Sequence, residues 1–167
     1  MNKTRTLLLS PQQISQRIDR IAYQIYEDNA DESEVVIVGI RENGFLFAER
    51  VREAITRTCD LQTRIIGLKI NKHDQVSNDV TLSCDLSELS GKSIILADDV
   101  LNSGKTLIYA MKTLLRTDTK KIRTALLVDR DHRRYPVLGD FVGITLSTTF
   151  QEHVSVEFGE NEGVYLS

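Results

Sequence analysis

The stretch IILADDVLNSGKTL, residues 94–107, decides how this chain is read. Its Gly104-Lys105-Thr106 looks like the end of the phosphate-binding loop G-x-x-x-x-G-K-[ST], which requires a first glycine at position 99. Position 99 is aspartate, and Asp98 precedes it. A glycine there would let backbone amides close around a triphosphate, whereas two carboxylates accept hydrogen bonds from hydroxyls or face a metal. Ahead of them, Ile94 to Ala97 is a short apolar run suited to a strand buried on both faces. Behind them, Asp98 to Ser103 reads as a loop, and Leu107, Met111, Leu114 and Leu115 follow at helical spacing. The helix start at Asn102-Ser103-Gly104-Lys105-Thr106 offers free N–H groups and the positive end of the dipole to an anion. An ordinary capped helix start, or an acid after a buried strand, explains either half alone. On one short loop the two halves predict a diol-binding acid pair beside a cradle for a monophosphate.

Outward from this loop the chain alternates strands and helices. Ser10-Pro11-Gln12-Gln13 has the N-cap, the proline and the glutamine of a capping box. Ile14, Ile18, Ile21, Ala22 and Ile25 then give one apolar helical face to about residue 29. Val35 to Ile40 is a β-branched strand, Arg41-Glu42-Asn43-Gly44 a loop, and Phe45, Ala48, Val51 and Ile55 a second helical face. A strand is expected at 63–70, a loop without periodicity at 71–79, and a further strand at 124–128. The polar loop DRDHRRYP follows, and strand-like runs at 141–146, 154–158 and 163–166 close the chain. Such alternation predicts a single α/β domain, residues 1–167, built as a three-layer sandwich on a mostly parallel sheet. Ligands of open α/β sheets gather at the carboxyl ends of the strands. Arg41 to Gly44, Asp98 to Lys105 and Asp129 to Pro136 are therefore expected to meet in one site.

Composition narrows the class. At 41% hydrophobic and 27% charged residues the chain reads as an ordinary globular protein. It has no apolar run near the ~20 residues of a membrane span and no signal peptide pattern, so a cytoplasmic location is expected. Cys59 and Cys84 form no metal or disulfide pattern, and His73, His132 and His153 lie far apart, so no zinc site is expected. A net charge of -3 argues against general nucleic-acid affinity.

IILADDVLNSGKT resembles the signature of type I phosphoribosyltransferases. VVIVGIRENGFLFAERV, ALLVDRDHRRYPVLGDFVG, EHVSVEF and RIDRIAYQIYE resemble the bifunctional pyrimidine operon attenuator and uracil phosphoribosyltransferase family over nearly the whole chain. That resemblance implies the type I fold and transfer of the phosphoribosyl group of 5-phosphoribosyl-1-pyrophosphate (PRPP) to a nucleobase, preferably uracil-like. It implies Asp98 and Asp99 on the ribose hydroxyls and Leu101, Asn102, Ser103, Gly104, Lys105 and Thr106 around the 5-phosphate. Arg41, Glu42, Asn43 and Gly44 would face the pyrophosphate, and Val128, Asp129 and Arg130 would flank the base. It also implies Mg2+, brought mainly by PRPP rather than by a protein cage, and a homo-oligomer, dimer or tetramer.

The chain departs from that family in places. Glu42 stands where a basic or small residue is usual, Ile144 where a base-proximal lysine is usual, and Asn71 to Gln75 in place of a Tyr-Arg-Asp-Asp element, with Lys72 left to supply the catalytic positive charge. Asp19 and Tyr23 replace a hydroxyl residue and a histidine of the RNA-binding helix, so RNA is not an expected partner. A non-catalytic sensor of PRPP or nucleotide, and an RNA-binding regulator, are the competing readings.

Overall fold

The computed structural model describes residues 5–71 and 79–167. The expected loop at 71–79, with Lys72, falls almost wholly outside them. Nine strands and three α-helices are described: β1 (Thr6–Leu9), α1 (Pro11–Asp28), β2 (Glu34–Ile40), α2 (Arg41–Thr58), β3 (Gln62–Asn71), β4 (Asp79–Leu82), β5 (Ser93–Leu101), α3 (Lys105–Leu114), β6 (Lys121–Asp129), β7 (Phe141–Thr145), β8 (Val154–Glu157) and β9 (Gly163–Leu166). A 3-10 turn, Leu86–Leu89, precedes β5.

Six strands form the central sheet in the order β4-β3-β2-β5-β6-β7. All neighbours are parallel except the antiparallel pair of β3 and β4. Val35 to Ile40 of β2, Ser93 to Ala97 of β5 and Thr124 to Asp129 of β6 are continuously buried because helices cover both faces, which explains their β-branched and leucine-rich runs. On one face α1 and α2 contribute Ile14, Ile18, Ile21, Ile25, Phe47, Val51 and Ile55 to the core. On the other, α3 contributes Leu107, Ala110 and Leu114. The capping box is present, with Ser10 accepting from Gln13 N and Gln13 returning to Ser10 N.

Four local expectations are corrected. Arg41 to Gly44 is not a loop: β2 turns directly into α2 at Arg41, because the first turn packs on the end of β5. Phe47, not Phe45, is buried on that helix, and Phe45 is left on a cleft wall. β5 runs on to Leu101, so Asp98 and Asp99 lie on a strand end still paired with β6. Leu115 is the exposed cap of α3 rather than part of its apolar face. The closing strands β8 and β9 do not join the central sheet. With β1, which was not expected, they form a separate antiparallel sheet in the order β1-β9-β8. Among the described residues no helix is long and apolar enough to cross a membrane.

Candidate functional site

Strand order reverses between β2 and β5. β2 sends α2 across one face toward β3, while β5 sends α3 across the other toward β6, and the chain diverges at their carboxyl ends. That divergence opens the crevice in which open α/β sheets bind ligands. A cleft of about 1010 Å3 lies there, lined by Arg41, Asn43, Gly44, Asp98, Asp99, Asn102 and Thr106 among others. The first two predicted segments are thus brought together, although one is a helix start and the other largely a strand end.

Gly44 sits against β5: a Cβ there would lie 2.9 Å from Asp98 Oδ1 and 3.2 Å from Asp98 Cα. Arg41, ahead of it, holds a φ of 57°. Non-glycine residues occupy that left-handed region at a cost of roughly 1–3 kcal/mol, and such strain concentrates at functional sites. Asn43 Nδ2 donates to Asp99 Oδ2 at 3.2 Å and to the Val156 carbonyl at 3.0 Å. Asp98 Oδ1 accepts from Asp99 N at 3.0 Å. Burial first, and the neighbouring Asp99 charge second, push the Asp98 carboxyl well above the usual carboxylate range. Asp98 thus resists ionisation in the ligand-free site.

The turn into α3 is shaped by Gly104, at φ +87°, where a Cβ would collide with a Val137 methyl. Ser103 Oγ accepts from Lys105 N at 3.3 Å, and the Ser103 carbonyl accepts from Arg134 N at 2.9 Å and Tyr135 N at 3.2 Å. The loop after β6 therefore buttresses the turn. Leu101 is buried on the α3 side of the sheet, and its carbonyl accepts from Arg130 N at 3.2 Å.

Val128, Asp129 and Arg130 do not line this cleft among the described residues. Val128 is core. Asp129 is buried and accepts from Arg133 Nη1 at 2.8 Å and Asp131 N at 2.9 Å. Arg130 is engaged by Asn102 and by the 148–152 segment. The opposite wall instead comes from β3, with Ile65 and Gly67 to Asn71, and from His153 to Val156. Sequence reasoning missed both. The signal available for the first was the carboxyl end of β3, which belongs beside the other strand ends; β8 is too short and irregularly placed to reveal its position.

Arg20 donates to the Val142 and Gly143 carbonyls at 3.0 and 2.7 Å, and the neighbouring Asp19 pairs with Arg57. Among the described residues no group of three or more His, Cys, Asp or Glu side chains could hold a metal. Two adjacent carboxylates are hard oxygen donors that fit a Mg2+ ion carried in by substrate phosphates, not a protein cage.

Residues 6–160 match the phosphoribosyl transferase domain. The chain is 34% identical over 157 residues to the bifunctional protein pyrR of Enterococcus faecalis, covering 87% of this chain and 85% of that protein. It is 31% identical over 167 residues to bifunctional protein PyrR of Clostridium kluyveri, covering 95% and 93%. The pyrimidine operon regulatory protein of Lactococcus lactis subsp. lactis is 31% identical over 149 residues, covering 87% and 86%. Among solved structures, the hypoxanthine phosphoribosyltransferase of Trypanosoma cruzi superposes with a TM-score of 0.80 at 16% identity, covering 96% and 95% of the two chains. At that identity the likeness establishes the fold alone.

Proposed function

The chain belongs to the phosphoribosyl transferase domain family, and from that premise we propose that it transfers the 5-phosphoribosyl group of PRPP to a uracil-like base, releasing pyrophosphate. One observation carries the reading: the acid pair Asp98-Asp99 at the end of β5 and the glycine-shaped turn that leads from it into α3 adjoin one cleft, which Asp98, Asp99, Asn102 and Thr106 line.

Asp98 and Asp99 accept hydrogen bonds from the ribose 2- and 3-hydroxyls, and their negative charge faces the sugar as positive charge develops at its anomeric carbon. The turn amides and the hydroxyls of Ser103 and Thr106 hold the 5-phosphate at the positive end of α3. Arg41 and Asn43, at the start of α2, orient the pyrophosphate. Mg2+, carried in mainly by PRPP, would be held on the protein side by the carboxylates of Asp98 and Asp99 and would supply charge neutralisation of the leaving pyrophosphate. The base approaches beside Asn102, which lines the cleft and accepts from Arg130 just beyond the end of β6. Lys72 is assigned the remaining positive charge. The same reading carries a cytoplasmic homo-oligomer with little RNA affinity.

A second reading, a PRPP or nucleotide sensor without turnover, is favoured by Glu42, which puts an exposed carboxylate on the cleft wall next to Arg41. The relatives named as pyrimidine operon regulators agree with a regulatory role. The deciding experiment is formation of a nucleoside monophosphate from PRPP and Mg2+, with uracil, guanine, hypoxanthine, xanthine and adenine tried separately. Turnover with uracil is expected. PRPP binding by calorimetry with no turnover on any base would establish the sensor, and absence of both would remove the assignment.

A further inference from the structure

Arg130 leaves β6 only 8% exposed, yet among the described residues its hydrogen-bond acceptors are all neutral. Nη1 donates to Asn102 Oδ1 at 2.9 Å and Nε to Thr148 Oγ1 at 3.1 Å. Nη2 donates to the carbonyls of Thr149 at 3.3 Å and Glu152 at 2.7 Å. The segment it grips is itself closed: Thr149 N donates to Glu152 Oε2 at 2.6 Å, and His132 Nε2 meets the Thr148 carbonyl. Immediately beyond it, His153 to Val156 form a wall of the cleft. The far end of that wall is pinned by Asn43, which bonds both the Val156 carbonyl and Asp99.

The 148–156 segment is therefore fastened at its start by Arg130 and at its end by Asn43, and both fasteners are anchored on residues 99–102. These contacts join Asn43, residues 99–102, Arg130 and the 148–156 segment in one closed circuit, of which Asn43, Asp99, Asn102 and His153 to Val156 line the cleft. A planar guanidinium with donors in fixed directions can bridge two segments at a set spacing, whereas an ammonium on a flexible stem cannot.

We infer that Arg130 is a positioning residue, a strut that holds the Asn102-to-Thr106 turn and the 148–156 wall at one spacing without touching substrate. This rests on the phosphoribosyl-transfer reading for its catalytic consequence but not for its structural one. With the strut removed, the phosphate turn and the opposite wall relax apart. The acid pair still binds PRPP, while alignment of base and sugar is lost.

The test uses the full chain as wild type, Arg130→Ala and Arg130→Lys. Amide hydrogen exchange without ligand should accelerate in 102–106 and 149–156 together, with β2 unchanged. With PRPP, Mg2+ and the base accepted by wild type, kcat should fall about 100-fold, the scale of a small misalignment of reacting groups, while the KM for PRPP moves by less than about threefold. Millimolar guanidinium should restore protection and turnover in Arg130→Ala, and Arg130→Lys should restore neither fully. Exchange unchanged in those two segments, with only the KM for the base raised, would make Arg130 a direct base contact and overturn the strut. Exchange accelerated equally in β2 would also overturn it, leaving a general stabilising role; if Arg130→Ala does not fold, Arg130→Lys carries the same comparison. Wild type inactive with every base would sink the transferase reading and leave the exchange experiment to decide the strut alone.

Discussion

Asn43 and Asp99 are 56 positions apart in sequence and 3.2 Å apart between Nδ2 and Oδ2. One carboxamide nitrogen thus orients the second acid of the pair and, through its other hydrogen, holds the Val156 carbonyl at 3.0 Å. Hydrogen bonds to charged groups contribute roughly 1.5–3 kcal/mol. For a partly exposed group the low end applies, and about 1.4 kcal/mol corresponds to tenfold in affinity. Asn43→Ala should weaken binding of PRPP with Mg2+ by about tenfold in calorimetry. Asn43→Asp, which adds a third carboxylate, should weaken it further. Wild-type affinity in both variants would show that the contact does not orient Asp99.

Asp98 gives a pH signature. Burial, then the charge of Asp99, raises its pKa in the folded chain. Between the unfolded value of about 3.9 and that raised value, the native state binds more protons than the unfolded state, so stability falls as pH rises. Asp98→Asn removes this dependence. Its melting temperature should exceed that of wild type at pH 7 to 8, and the gain should vanish near pH 4. PRPP binding should be lost in the same variant. A melting temperature lower than wild type at pH 8, without ligand, would contradict the assigned shift.

Gly104 allows a simple test of the phosphate cradle. Alanine at φ +87° is strained and also meets Val137. Gly104→Ala should cost about 1–3 kcal/mol, near 2–4 °C of melting temperature per kcal/mol for a chain of this size. It should weaken PRPP more than it weakens a nucleoside that lacks the 5-phosphate. Equal loss for both ligands would show that the turn does not hold the phosphate.

The parts of the fold that could be read from sequence are those where period and capping agree. Pro11 to Asp28 carries a capping box and a single stripe of isoleucines, all of them buried. β2 has only one way to bury six consecutive residues, five of them β-branched. The boundaries at the cleft were misread for one reason. Arg41 to Gly44 and Asp98-Asp99 are polar and look like loops, yet the first packs on the end of β5 and the second stays on a strand paired with β6, contacts that local propensity does not encode. The acid pair and the phosphate turn were legible because they are contiguous. The wall from His153 to Val156 was not, since its place depends on the contact of the Val156 carbonyl with Asn43, 113 positions away. Arg130 was expected to flank a base, but nothing in the sequence says that its donors are already taken by Asn102 and by the 148–152 turn.

Gly44 tests how closely α2 and β5 depend on one another. An alanine Cβ would lie 2.9 Å from Asp98 Oδ1, 3.1 Å from the Ala97 carbonyl oxygen and 3.2 Å from Asp98 Cα. The first contact is with a side chain and the other two are with backbone, so the helix start must shift away from the strand. Overpacking of this kind costs typically 1–3 kcal/mol. The shift would also draw Asn43 away from Asp99, so PRPP binding should suffer as well as stability. Removing the carboxylate separates the two contributions, because residues in contact show non-additive effects. Gly44→Ala combined with Asp98→Ala should destabilise by less than the sum of the single changes, since the carboxylate clash is gone while the backbone contacts remain. Denaturant titrations of wild type, both single variants and the double variant measure this directly. Strict additivity would mean that Gly44 answers only to the backbone of β5, and that the acid pair plays no part in fixing the start of α2.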